Sequence, residues 1–91
     1  MANFDELIEI IIAVYVPQMS PVAASMIKND LEQQDYDFAV DSFLQFTLLE
    51  DIDVPAEILA DIEYEVHAAW DPELTERTLG WIAKHRARSS T

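Results

Sequence analysis

Between Asn29 and Glu65 the chain carries twelve carboxylates and neither Lys nor Arg, interleaved with its most apolar helix-like run. Such a segment has to supply core and acidic surface at once, which a helix does by giving each its own face. Three acidic pairs, Asp37/Asp41, Glu57/Asp61 and Asp61/Glu65, fall at i,i+4. On a helix surface each like-charge pair at that spacing costs about 0.2–0.5 kcal/mol. Local stability would favour a lysine among them, so the acidity is expected to serve a partner.

Caps and prolines around this segment divide the chain into helices. Asn3-Phe4-Asp5-Glu6 has the capping-box pattern, and Phe4, Leu7, Ile8, Ile11, Ile12 and Tyr15 follow at helical spacing. Val16-Pro17 should end this first helix, because a proline disfavours helical geometry in the residue before it. The β-branched run Ile10–Ile12 leaves a strand as the alternative, although no glycine or second strand-like run lies nearby. Ser20-Pro21 opens a second helix to about Gln34, with Val22, Ala23, Met26, Ile27 and Leu31 inward and Lys28, Asp30 and Glu32 outward.

Asp35 is placed to cap a third helix, Tyr36 to about Glu50. Tyr36, Ala39, Val40, Phe43, Phe46 and Thr47 share one broad face of it, while Phe38, Leu48 and Leu49 fall outside. Only Asp37, Asp41 and Gln45 make a polar stripe, so this helix is expected at the centre of the domain. After the connector Asp51–Pro55, a fourth helix buries Ile58, Leu59, Ile62 and Val66 and displays Glu57, Asp61 and Glu65. Asp71-Pro72-Glu73 then opens a fifth, whose face is Leu74, Thr78, Trp81, Ile82 and His85. Gly80 interrupts it at about 1 kcal/mol relative to alanine, which suggests close helix packing. The expected fold is all-α, a single-domain bundle of about five short helices over residues 1–88, with 89–91 a frayed tail.

Charge narrows the partners. With 18 acidic against 5 basic residues and a formal net charge of −13, direct binding to nucleic acid or to an anionic membrane surface is disfavoured, and a basic protein is favoured. At 51 % hydrophobic the chain is too apolar for a disordered acidic tail. Four of the basic residues, Arg77, Lys84, Arg86 and Arg88, lie near the C-terminus, where they complement a helix end and are expected to form a solvated tail whose charges pair weakly with the acidic body, rather than a basic binding arm. The absence of cysteine excludes disulfides and thiolate metal sites. Asp5, Glu6 and Glu9 replace the basic n-region of a secretory signal, and no apolar run approaches the roughly 20 residues that span a bilayer. A cytoplasmic protein is expected, with its oligomeric state left open.

Motifs for chemistry are sparse. His67 and His85 are the only histidines, and no serine sits in a nucleophile-elbow setting. Asp35-x-Asp37 and Glu50-Asp51-x-Asp53 have the look of calcium loops but lack the glycine and the terminal glutamate at loop spacing. Neither an enzyme, a dedicated metal site nor a cofactor is expected. Asp41-Ser42-Phe43 resembles the Asp-Ser-Leu attachment site of acyl carrier proteins, yet in that family the serine opens a helix after a glycine-containing loop, whereas Ser42 falls inside one.

Asp35-Tyr36-x-x-Ala39-Val40-Asp41-Ser42-Phe43, continued by Leu49-Glu50-Asp51-Ile52-Asp53-Val54, is similar to a pattern of MafI-like immunity proteins, acidic-Tyr-x-x-Ala-Leu-Glu-Asn-Leu followed by Leu-Tyr-Glu-Tyr-Asp-Ile. Asp35 stands for the usual glutamate, Ser42 for asparagine and Phe43 for leucine, and the Tyr-Glu-Tyr element is kept only in part, as Leu49-Glu50-Asp51. The resemblance implies a small helical partner of a bacterial polymorphic or contact-dependent growth-inhibition toxin. Nuclease toxins carry basic substrate grooves, which an acidic helical surface can occupy after charge-steered association. The candidate partner-binding residues are Asp35, Asp37, Asp41, Glu50, Asp51, Asp53, Glu57, Asp61 and Glu65. An acidic nucleic-acid mimic inhibiting a DNA- or RNA-processing enzyme is the alternative, and a carrier modified at Ser42 a more distant one.

Overall fold

The structure is a computed structural model that describes residues 3–89. Helical spacing is realised in five α-helices: α1 (Phe4–Ile10), α2 (Pro21–Glu32), α3 (Tyr36–Leu49), α4 (Ala56–Ala69) and α5 (Pro72–Ser89). No strand occurs among the described residues, so the Ile10–Ile12 run is helical. Ser89 belongs to α5, and the remainder of the expected frayed tail lies outside the described residues.

The first helix departs from expectation at its end. Leu7, Ile11, Tyr15 and Met19 are all buried and stand four residues apart. At 100° per residue each such step overshoots a turn by about 40°, so an α-helix would carry the later side chains away from the core. A π-helical stretch, Ile11–Tyr15, absorbs the overshoot and is followed by a 3-10 turn, Val16–Gln18. The helical path therefore runs through Pro17 rather than stopping at Val16. Gln18 Nε2 donates to the Val14 carbonyl at 2.8 Å, supplying a partner where the hydrogen-bond ladder changes. The switch also turns Ile12 out to solvent.

Asn3 accepts from the Glu6 amide at 2.9 Å, as the capping pattern requires. Ser20 caps α2, but its third helical position is Ala23, so the glutamate of a capping box is absent locally. Glu50, at the far end of α3, supplies it: its carboxylate accepts from the Ser20 amide at 2.8 Å and from the Ser20 hydroxyl at 2.7 Å. The end of α2 is a Schellman motif in which Gln34 takes the left-handed conformation (φ 62°) and the Asp35 amide donates to the Asp30 carbonyl at 2.9 Å. Asp51 (φ 59°) does the same after α3, with the Ile52 amide on the Thr47 carbonyl at 2.8 Å. Asp35 precedes α3 without capping it through its side chain; the Asp37 carboxylate takes the Phe38 amide instead.

Taken by contact, the helices close a ring: α2 on α3, α3 on α5, α5 on α4, α4 on α1, and the 3-10 turn back onto α2. Inside it lie Leu7, Ile11, Phe43, Leu44, Ile62 and Ile82, each at 2 % exposure or less, with the Tyr15 and Phe43 rings edge to face at 5.1 Å. The radius of gyration, 12.0 Å, is that of a close-packed chain of this length, about 12 Å. α3 and α5 run parallel, since Asp41 meets Arg77 and Thr78, Thr47 meets His85, and Leu48 meets Arg88. Their N-termini consequently share one end of the ring and their C-termini the other.

Several expected faces are corrected. Val22 is 70 % and Met26 50 % exposed, because α2 is covered on the side of Ala23 and Ile27 alone. Tyr36 is also exposed, although its ring meets the edge of Phe4. Gly80 is not a close-packing site: a Cβ there would meet nothing within 4 Å.

Candidate protein-interaction surface

α4 packs on α5 and α1 through Leu59, Ile62 and Val66, which fixes the opposite side as a solvent face. Tyr64 stands on that face at 61 % exposure, with Ala60 and Ala68 one turn before and after it. The two alanines leave a hollow of about 500 Å³ around the ring, bounded also by Glu63 and His67. Along one flank run Glu57, Asp61 and Glu65, Glu57 exposed and the other two half-buried. On the opposite flank Glu63 holds Arg86 through both oxygens, at 3.0 and 3.3 Å. The guanidinium beside Glu63 keeps its carboxyl below the ordinary value of 4.5. The face thus presents a two-sided aromatic surface with an acidic rim on one side.

A second acidic feature lies where the N-termini of α3 and α5 come together. Asp37, Asp71 and Glu73 surround a cleft of about 340 Å³ walled by Phe38, Leu74 and Arg77. Asp71 Oδ1 accepts from the Glu73 amide at 2.9 Å, capping α5. Two parallel helices place their positive dipole ends side by side here, and the carboxylates offset that field.

Of the remaining candidate carboxylates, Asp41, Glu50, Asp51 and Asp53 are engaged within the fold. Asp41 is not on the surface at all: at 1 % exposure it accepts from Arg77 Nη2 at 2.6 Å, Arg77 Nε at 3.0 Å and the Thr78 hydroxyl at 2.8 Å. The like-charge pair expected between Asp37 and Asp41 on one outer stripe is therefore not formed. Glu50 is held by Ser20, whose hydroxyl and amide lower its pKa from 4.5. Asp51 and Asp53 face Arg88 at 3.3 and 3.6 Å. Asp35 remains exposed. Burial raises the Asp30 carboxyl and the charge of Asp35 adds to this, opposed by a hydrogen bond from Ser42. Ser42 itself lies half-buried inside α3.

The C-terminal basic residues form the other half of this correction. Rather than a solvated tail, Arg77, Arg86 and Arg88 clamp α5 to α3, to α4 and to the connector between them. Arg88 also donates to the Leu48 carbonyl at 3.4 Å and the Ile52 carbonyl at 2.8 Å, so the C-terminus it complements is that of α3. Lys84 lies over the Trp81 ring, 5.1 Å from its centroid.

Sequence reasoning missed Tyr64, Asp71 and Glu73 as surface features. The alanines at i±4 from Tyr64 were a legible signal, since they leave an aromatic ring uncovered on its own helix. Among the described residues no group of three or more His, Asp or Glu is arranged to hold a metal ion, and no helix is long and apolar enough to cross a membrane. Comparison of the chain with models of known protein families, with characterised proteins and with solved structures finds no match.

Proposed function

We propose that this chain is an immunity-type inhibitor that neutralises a bacterial toxin by laying the outer face of α4 against the toxin's basic, nuclease-type domain. The observation that carries this reading is Tyr64, 61 % exposed between two alanines and flanked by Glu57, Asp61 and Glu65. A tyrosine buries a large contact area on binding at the cost of two torsions and keeps a hydroxyl for the rim, the usual make-up of an energetic anchor. Carboxylates beside it steer a cationic surface into register and speed association. Occupying a groove in this way needs no chemistry from the inhibitor, and such a protein acts in the cytoplasm of the cell it protects.

The similarity of the Asp35–Val54 segment to MafI-like immunity proteins supports the toxin class. Ala39, Val40 and Phe43 within that segment are core residues of α3, so the likeness bears on the scaffold rather than on the binding face.

The test uses the purified chain and a basic toxin domain encoded beside it, with affinity measured by calorimetry and association by stopped flow. Tyr64→Ala should weaken binding by about 30-fold or more, the mark of an anchor residue. Glu57→Lys with Glu65→Lys should slow association, most at low salt. Both variants should melt within a few degrees of the parent. Unchanged affinity in both would remove α4 as the interface, and a basic domain that fails to bind the parent chain would remove the immunity reading.

A further inference from the structure

His85 sits between α5 and α3 at 1 % exposure, in a setting that accepts only one protonation state. Its Nε2 lies 2.8 Å from the Leu44 carbonyl oxygen, so this nitrogen carries the hydrogen and donates. Thr47 Oγ1, 3.2 Å from the same nitrogen, spends its own hydrogen on the Phe43 carbonyl at 2.7 Å. The other ring nitrogen, Nδ1, is buried and has no hydrogen-bond partner. A proton added there would create a buried N–H⁺ with no acceptor, which costs far more than the same proton in water.

The charged groups around the ring reinforce this. One turn further along α5 the Arg88 guanidinium adds a like charge, while Asp53, from the α3–α4 connector, opposes it but is itself engaged by Arg88. From α3 the ring meets only a carbonyl and a hydroxyl, and the Glu63 carboxylate of α4 is taken by Arg86. Burial, the larger cause, and Arg88 together hold the imidazole below its ordinary value of 6.5.

The two halves of α5 are held differently. Its first half is anchored through the buried Asp41 carboxylate, by Arg77 and Thr78. The ion pairs of its second half, Arg86–Glu63 and Arg88 with Asp51 and Asp53, place their carboxylates at 37 %, 89 % and 98 % exposure. Exposed pairs of this kind contribute little, so this half is tied to the α3 side mainly by His85 and by the Arg88 hydrogen bonds to the Leu48 and Ile52 carbonyls, and of these ties only His85 titrates in mild acid. We infer that His85 is an acid-sensitive latch: mild acidification releases the C-terminal half of α5, from about Lys84 onward, from α3 while the rest of the ring stays closed. The released segment carries Lys84, His85, Arg86 and Arg88, so acid would detach a cationic arm from the carboxylates of an otherwise acidic protein.

The sign is set by which state binds more protons. Released, the imidazole titrates near 6.5; latched, it stays neutral to lower pH, so closure is complete above about pH 6.5 and weakens as pH falls. From pH 7.5 to 5.5 the opening constant should rise by up to about tenfold. Amide exchange of residues 84–89, corrected for intrinsic rates, would read this directly and should show no matching change for α3 residues such as Phe43. His85→Gln, which keeps a donor for the Leu44 carbonyl and cannot titrate, should hold protection constant over the same range. As a check inside the wild type, the folded-state ¹⁵N resonances of the His85 ring should remain those of the neutral Nε2–H form at pH 6. Equal protection at both pH values, a His85→Gln variant that opens like the parent, or a ring that protonates near pH 6.5 without loss of protection would each overturn the latch.

Discussion

Asp41 Oδ2 and Arg77 Nη2 stand 2.6 Å apart across the α3–α5 interface, with the aspartate buried at 1 % exposure and the arginine 54 % exposed. The asymmetry sets the outcome of mutation. Arg77→Ala leaves a buried carboxylate held by Thr78 alone and should cost about 2–3 kcal/mol, below the range for a fully buried pair because water can reach the vacated side. Adding Asp41→Asn to that variant should restore part of the loss, since it removes the stranded charge and keeps an acceptor for Thr78. Urea unfolding of the two variants decides the matter, and a cost under about 0.5 kcal/mol for Arg77→Ala would make the pair a surface contact.

Gly80→Ala should stabilise the protein. Nothing within 4 Å obstructs a new Cβ, and alanine in a helix interior is worth about 1 kcal/mol over glycine. For a domain of this size that is a rise of about 4–8 °C in melting temperature. A fall would show that the bare backbone at this position is needed.

Acid should weaken the link between α2 and α3. Glu50 has its pKa lowered by Ser20 and Glu63 by Arg86, both from 4.5. A depressed carboxylate contributes stability that is fully present above its unfolded value and is lost as pH falls through the folded one, so the loss begins near pH 4.5 and grows below it. Glu50→Gln should flatten this acid limb in a series of urea midpoints taken at falling pH. It should leave the change above pH 5.5 intact, because that change belongs to His85.

Phe43→Ala should cost about 3–5 kcal/mol as a core truncation, the ring being at 0 % exposure and packed on Tyr15. Glu57→Lys should change stability by no more than about 0.5 kcal/mol, because Glu57 is exposed and the new lysine faces Asp61 one turn on. Thermal melts that ranked these two in the opposite order would reverse the inner and outer faces assigned here.

Local chemistry determined the elements. Asn3, Ser20-Pro21 and Asp71-Pro72 begin helices because caps and prolines act within a turn of where they stand, and Leu59, Ile62 and Val66 are inward because burial follows a 3.6-residue period. Where sequence periodicity was four rather than 3.6, at Leu7, Ile11 and Tyr15, the same rule held and the backbone changed to π to obey it. Tertiary structure decided the fate of the charges. Glu50 became the missing half of a cap 30 residues away, Asp41 a buried anchor, and the C-terminal arginines clamps rather than a tail. A carboxylate on a helix has the same local preference whether it meets water or a guanidinium, and only the parallel alignment of α3 with α5 brought Arg77 and Arg88 to the residues they hold.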